Sequence, residues 1–137
     1  MSVMKIAIQT ENLRKVFGDS VAVSDLTLSV PAGECFGLIG PNGAGKTTTL
    51  RMLATLLEPS DGRLYICGHD AEDEISKVRR KIGFMPDDFG IYNDLKLWEY
   101  LDYFAMAYGV PSAQRRQRAK DVVELVDLKV KEDEFVE

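Results

Sequence analysis

CFGLIGPNGAGKTTTL, residues Cys35–Leu50, is the stretch from which the architecture follows. Cys35–Ile39 is a short continuous apolar run, the pattern of a strand buried on both faces. It runs into Gly40-Pro41-Asn42-Gly43-Ala44-Gly45-Lys46-Thr47, which matches GxxxxGKS/T at every fixed position. From Lys46 to Leu57 there is neither Gly nor Pro, and Leu50, Leu53, Ala54 and Leu57 recur at helical spacing. The reading is strand, phosphate-binding loop, helix. Gly40, Gly43 and Gly45 let the backbone turn tightly and aim its N–H groups at an anion. The helix start adds the positive end of its dipole. Lys46 supplies a mobile charge for the outer phosphates, and the Thr47 hydroxyl is a candidate ligand for Mg²⁺.

Upstream, Lys5–Gln9 and Val21–Val30 alternate as strands do, and Pro31-Ala32-Gly33-Glu34 reads as a turn. Downstream, Glu58–Gly62 stops the helix, Arg63–Cys67 and Ile82–Met85 read as strands, and Glu72–Arg80 as a short helix. The C-terminal part differs. Leu97, Leu101, Phe104 and Tyr108 lie on one face of a helix over Lys96–Tyr108, with Asp94 as its cap and Gly109 and Pro111 closing it. A second helix is read over Ser112–Leu128.

The chain has 137 residues, enough for one domain with its own core. Its net charge of −5 argues against a nucleic-acid partner held by a basic surface. The short run Gln114–Lys120 (QRRQRAK) reads as a solvated helix face. Cys35 and Cys67 share no metal-ligand spacing and read as two buried thiols in a reducing compartment, and His69 as a surface loop residue. Neither an apolar leader at the N-terminus nor a run of ~18 apolar residues is present, so the expected location is cytoplasmic.

Leu26–Leu53, with its Asn-Gly-Ala-Gly-Lys-Thr-Thr interior, resembles the ATP-binding subunit of an ABC transporter, more narrowly of the exporter type. The likeness runs from about Ile6 to Glu137. It implies an α/β fold of the P-loop NTPase kind, with an antiparallel β part at the N-terminal side and a helical part at the C-terminal end. Residues 1–94 would form the β part and phosphate-loop core, and residues 95–137 the helical subdomain. The implied cofactors are ATP and Mg²⁺. The nucleotide-binding set is Phe17, Gly40, Pro41, Asn42, Gly43, Ala44, Gly45, Lys46, Thr47 and Thr48. Phe17 stands where the family places an aromatic ring against adenine; the alternative is a core phenylalanine. Asp87 follows Pro86 where the family has a glutamine that contacts Mg²⁺ and the attacking water. A carboxylate can approach the metal but has no N–H to donate, and the alternative for Asp87 is a solvated acid in a loop.

The resemblance also implies partners. These are a transmembrane permease, which would hold the chain at the inner face of the plasma membrane, and a second ATP-binding subunit. The family's LSGGQ-like signature, its apolar strand ending in Asp-Glu and its switch histidine have no match in the 137 residues. The chain therefore reads as the N-terminal half of such a domain, an incomplete one that binds nucleotide with little or no hydrolysis, since the general base is absent. The rival reading is a non-enzymatic docking or assembly fragment, with Trp98, Tyr100 and Tyr103 as its face; the alternative for Trp98 is core packing. A GTPase is the remote alternative: Asp87-Asp88-Phe89-Gly90 fits DxxG, but the chain contains no NKxD.

Overall fold

The computed structural model describes residues 5–86, 94–127 and 134–135. The chain divides into two compact units, residues 1–85 and 86–137, each described on its own.

The first unit is built on one antiparallel sheet. Strand β1 (Ile6–Phe17) and strand β2 (Ser20–Pro31) form a hairpin, and β3 (Asp61–Ile66) and β4 (His69–Asp70) extend it in the order β2-β1-β3-β4. The register pairs Ile8 with Val30 on one side and with Ile66 on the other. Leu13 faces Leu26, and Phe17 faces Ser20 across the two-residue turn Gly18–Asp19. The β1–β2 pairing shifts register around Leu13, with Asn12 at φ 49°. Gly62 packs under this bulge so closely that a Cβ there would meet the Asn12 carbonyl oxygen at 2.4 Å. Helix α1 (Lys46–Leu53) and the short α2 (Ile75–Arg79) cover the sheet. Leu13, Met52, Leu64, Ile66 and Val78 form the buried core, with Ile8, Val23, Leu26 and Leu57 packed around them. Thr10, also buried, ties the hairpin together. Its hydroxyl donates to the Leu26 carbonyl (2.8 Å) and accepts the Leu28 N–H (3.0 Å).

Helix α1 stops four residues before the apolar spacing does. Thr55 takes the left-handed conformation (φ 58°). The Leu56 N–H then reaches back to Arg51 O, and the Thr55 N–H to Met52 O, a Schellman closure with threonine where glycine is usual. Arg79 of α2 holds that threonine through its hydroxyl (3.1 Å) and carbonyl (3.2 Å).

Four expectations need correction. Cys35–Ile39 forms no strand: Phe36 is half exposed and Ile39 94% exposed. A strand buried on both faces needs a neighbour at each edge, and the described residues supply none. For the same reason Ile82–Met85 is not a strand, and Met85 is 82% exposed. Both cysteines are exposed. Cys35 lies in the unpaired segment, and Cys67 (φ 49°) with Gly68 (φ 81°) makes the two-residue turn between β3 and β4. His69 is in β4 rather than a loop, half-buried, with Nδ1 at 3.1 Å from Glu74.

The second unit contains α3 (Leu97–Ala107) and α4 (Ser112–Leu125), packed as a helical pair. Gly109 (φ 73°) closes α3, with the Val110 N–H on Ala105 O (2.8 Å). The residue capping its start is Lys96, not Asp94, and the Lys96 N–H is taken by the Glu99 carboxylate (2.9 Å). Phe135 bridges to Lys96. Tyr100, Tyr103 and Phe104 stack along α3, and Val123 of α4 is buried. No described helix is long and apolar enough to cross a membrane.

Candidate functional site

The glycine-rich segment closes on itself and on the hairpin. Gly43 (φ 81°) and Gly45 (φ 83°) are both left-handed, the conformation only glycine adopts without strain. Gly45 carries a second constraint. A Cβ there would stand 2.4 Å from the Ala22 carbonyl oxygen and 3.1 Å from Val23 Cγ2, so the loop lies directly on the backbone of β2. The Ala44 N–H bonds the Pro41 carbonyl (3.3 Å). Lys46, the first residue of α1, folds back across the loop and donates from Nζ to the carbonyls of Gly40 and Pro41, both at 2.7 Å.

This arrangement leaves donors free for an anion. The first helical bond runs from the Thr49 N–H to Gly45 O (2.8 Å). The N–H groups of Lys46, Thr47 and Thr48 therefore precede the ladder and have no intrahelical acceptor. Nζ uses two of its three hydrogens on the loop carbonyls and keeps one, with its charge, for a ligand. Thr47 is exposed and its hydroxyl is a hard oxygen donor of the type Mg²⁺ takes. The residues present thus fit a phosphate group with a bound Mg²⁺.

Phe17 lies at the closed end of the hairpin, opposite Ser20. Ala22, on which Gly45 rests, is two residues further along β2, roughly 7 Å by the rise of a strand. Phe17 is 50% exposed. The sequence reading missed Lys15, whose Nζ sits 5.2 Å from the centroid of the Phe17 ring. The signal was available, because residues two apart on a strand share a face. Asp87, the other proposed metal neighbour, lies outside the described residues, as does the rest of Asp87–Gly90. The described residues hold no cluster of His, Cys, Asp and Glu suited to a metal on its own. A cleft of about 500 Å³ opens at the far end of α1 beside Met52 and Leu64, and no residue of the phosphate loop lines it.

A phosphate-binding loop set between a hairpin and a helix start defines a P-loop nucleotide-binding protein. Residues 23–137 match the ABC transporter family, and the chain belongs to it. The Nod factor export ATP-binding protein I of Cupriavidus metallidurans is 40% identical over 95% of this chain and 43% of its own length. The linearmycin resistance ATP-binding protein of Bacillus subtilis is 36% identical over 88% of the chain and 39% of its own length. An Fe(3+) ions import ATP-binding protein of Photorhabdus laumondii is 37% identical over 95% of the chain and 37% of its own length. A solved ATP-binding subunit of an ABC transporter superposes with a TM-score of 0.77 at 31% identity, over 94% of this chain and 54% of that one. The chain spans about two fifths of the length of these curated relatives. The fold is thus the α/β P-loop kind of the ABC ATP-binding subunits, with its antiparallel β part and its helices.

Proposed function

We propose that this chain carries the ATP-binding half-site of an ABC transporter's ATPase, and that the whole protein hydrolyses ATP to power export. The loop geometry carries the reading: free amides at the start of α1, a lysine locked across the loop, and a glycine seated on β2. In this reading Gly40–Thr48 wrap the phosphates, Lys46 neutralises their outer charge, Thr47 holds Mg²⁺ and Phe17 stacks on adenine. When bound, Mg²⁺ would be held by Thr47 and would neutralise charge on the outer phosphates. Asp87 would lie beside it in place of glutamine. Residues 1–94 form the β and phosphate-loop part, and 95–137 the helical subdomain.

The 137 residues include neither a signature nor an Asp-Glu strand end, so this span binds nucleotide and leaves turnover to groups outside it. A permease that seats the chain at the cytoplasmic face of the membrane, and a second ATP-binding subunit, complete the assembly. Export is favoured over import by the Nod factor export relative, 40% identical against 37% for the Fe(3+) import relative. Calorimetric titration with ATP, with and without Mg²⁺, beside Lys46→Ala, tests the reading. Saturable binding, tightened by Mg²⁺ and lost in Lys46→Ala, is the expected result. An absence of binding by a chain that circular dichroism shows to be folded overturns it. Asp87→Ala should reduce the gain that Mg²⁺ gives and leave metal-free binding in place; an unchanged Mg²⁺ gain removes Asp87 from the site.

A further inference from the structure

The helical pair encloses a groove of about 390 Å³, a volume in the range of small-ligand sites. Helical spacing builds both walls. Trp98 and Leu101 of α3 fall on one face, and Ala119 and Val123 of α4 on another. Val123 is 3% exposed and makes the apolar floor, whereas Trp98 is 47% exposed. Lys96, Arg116 and Lys120 also line the groove. Arg115 and Asp102 pair with each other across it (3.8 Å) and cancel. The other three cations have no acidic partner among the described residues.

In a chain of net charge −5, three cations that form no ion pair among the described residues thus gather around one apolar hollow with an open indole face. A solvated helix face would spread such charges outward. A planar anionic surface would be met by a flat basic patch and would leave the hollow and its floor unused. We propose that the α3–α4 groove binds a small amphipathic anion: an aromatic or aliphatic body against Trp98 and Val123, with a carboxylate, sulfonate or phosphate held by Lys96, Arg116 and Lys120. The site is separate from the phosphate loop and does not depend on what that loop binds.

Trp98 is the chain's sole tryptophan, so indole fluorescence has a single source, at the groove. The probe is 8-anilino-1-naphthalenesulfonate, followed by quenching of Trp98 and energy transfer from it in the full chain. Its uncharged relative N-phenyl-1-naphthylamine is the control ligand. Saturable quenching by the sulfonate is expected, with at least tenfold weaker quenching by the neutral compound. Arg116→Gln with Lys120→Gln should weaken sulfonate binding at least tenfold. Arg118→Glu, which makes the same two-unit charge change on α4 outside the groove, should alter it less than twofold. All three substituted side chains are exposed, so the helix is retained, and circular dichroism checks it. Equal binding by the two variants, or equal binding of the neutral compound, overturns the proposal. Quenching by vesicles of anionic phospholipid without quenching by the free anion also overturns it, and assigns the cations to a membrane surface.

Discussion

Gly45→Ala separates two reasons for glycine in the phosphate loop. The first is conformational: at φ 83° an alanine costs about 1–2 kcal/mol. The second is contact. The new Cβ would sit 2.4 Å from the Ala22 carbonyl oxygen, against 3.4 Å for ordinary contact, so loop and strand must part by about 1 Å. Forcing a methyl into a packed position costs a further ~1–3 kcal/mol. Gly43→Ala is the internal control. It has the same backbone sign (φ 81°) and nothing within 4 Å of its Cβ, so it pays the first cost only. Urea denaturation should place Gly45→Ala about 2–5 kcal/mol below the parent chain and Gly43→Ala about 1–2 kcal/mol below it. The shift also carries the amides of Lys46–Thr48 away from the phosphate position. ATP affinity by calorimetry should fall in Gly45→Ala at least about tenfold more than in Gly43→Ala, a difference of ~1.4 kcal/mol. Indistinguishable midpoints and affinities in the two variants would refute the claim that the loop is seated on β2.

Thr10→Val leaves the Leu28 N–H and the Leu26 carbonyl without the hydroxyl that joins them, and should cost about 1–3 kcal/mol by urea melt; an unchanged midpoint would show that the hairpin does not depend on that bridge. Phe17→Ala should weaken ATP binding by ~1–3 kcal/mol with little change in melting temperature, because the ring is half exposed; an unchanged Kd would take the ring off the base. Glu74 accepts hydrogen bonds from Lys77 and, less strongly, from His69, which hold its carboxyl below the usual 4.5. A carboxyl with a depressed native pKa stabilises the fold above its unfolded pKa and loses that contribution as pH falls through the native one. The melting-temperature gap between the parent chain and Glu74→Gln should therefore be constant from about pH 7 to 6 and close below about pH 4.5; a gap that widens on acidification would contradict the assignment.

What the sequence disclosed divides by the range of the interactions involved. The hairpin alternation, the glycines of the loop and the Gly109 stop were legible because each is written in neighbouring residues. The early end of α1 was not, because it needs Thr55 in a glycine-like conformation, stabilised by an arginine 24 residues away. Asp94 lost the cap of α3 because Glu99 binds the Lys96 amide, a one-turn reach that favours Lys96 as the boundary. Cys35–Ile39 reads as a strand buried on both faces and Ile82–Met85 as a strand, and their composition is unchanged by the outcome. Composition states that a segment can be buried; pairing requires another segment to lie beside it, and none of the described residues does.

That contrast bears on how the phosphate site holds its shape. The strand reading made Cys35–Ile39 the platform that presents the loop, yet the loop is formed while that segment is unpaired. Its geometry must come from other contacts, and three are present. Lys46 clamps the carbonyls of Gly40 and Pro41, Ala44 bonds Pro41, and Gly45 rests on Ala22. The first two are local to the loop, and the third ties it to a hairpin whose own register is fixed by Thr10 and Leu13. A lysine that organises the loop before any phosphate arrives is preorganised for its charge-neutralising role, which lowers the ordering cost of binding. The same feature means that Lys46→Ala removes two hydrogen bonds within the protein, worth about 1–3 kcal/mol together, as well as the ligand's charge partner. Lys46→Met keeps most of the stem but likewise loses the charge and both hydrogen bonds, so stability read beside ATP affinity in both variants distinguishes loop collapse from lost neutralisation. If neutralisation dominates, both variants lose ATP equally; if loop order dominates, both lose stability in proportion to affinity.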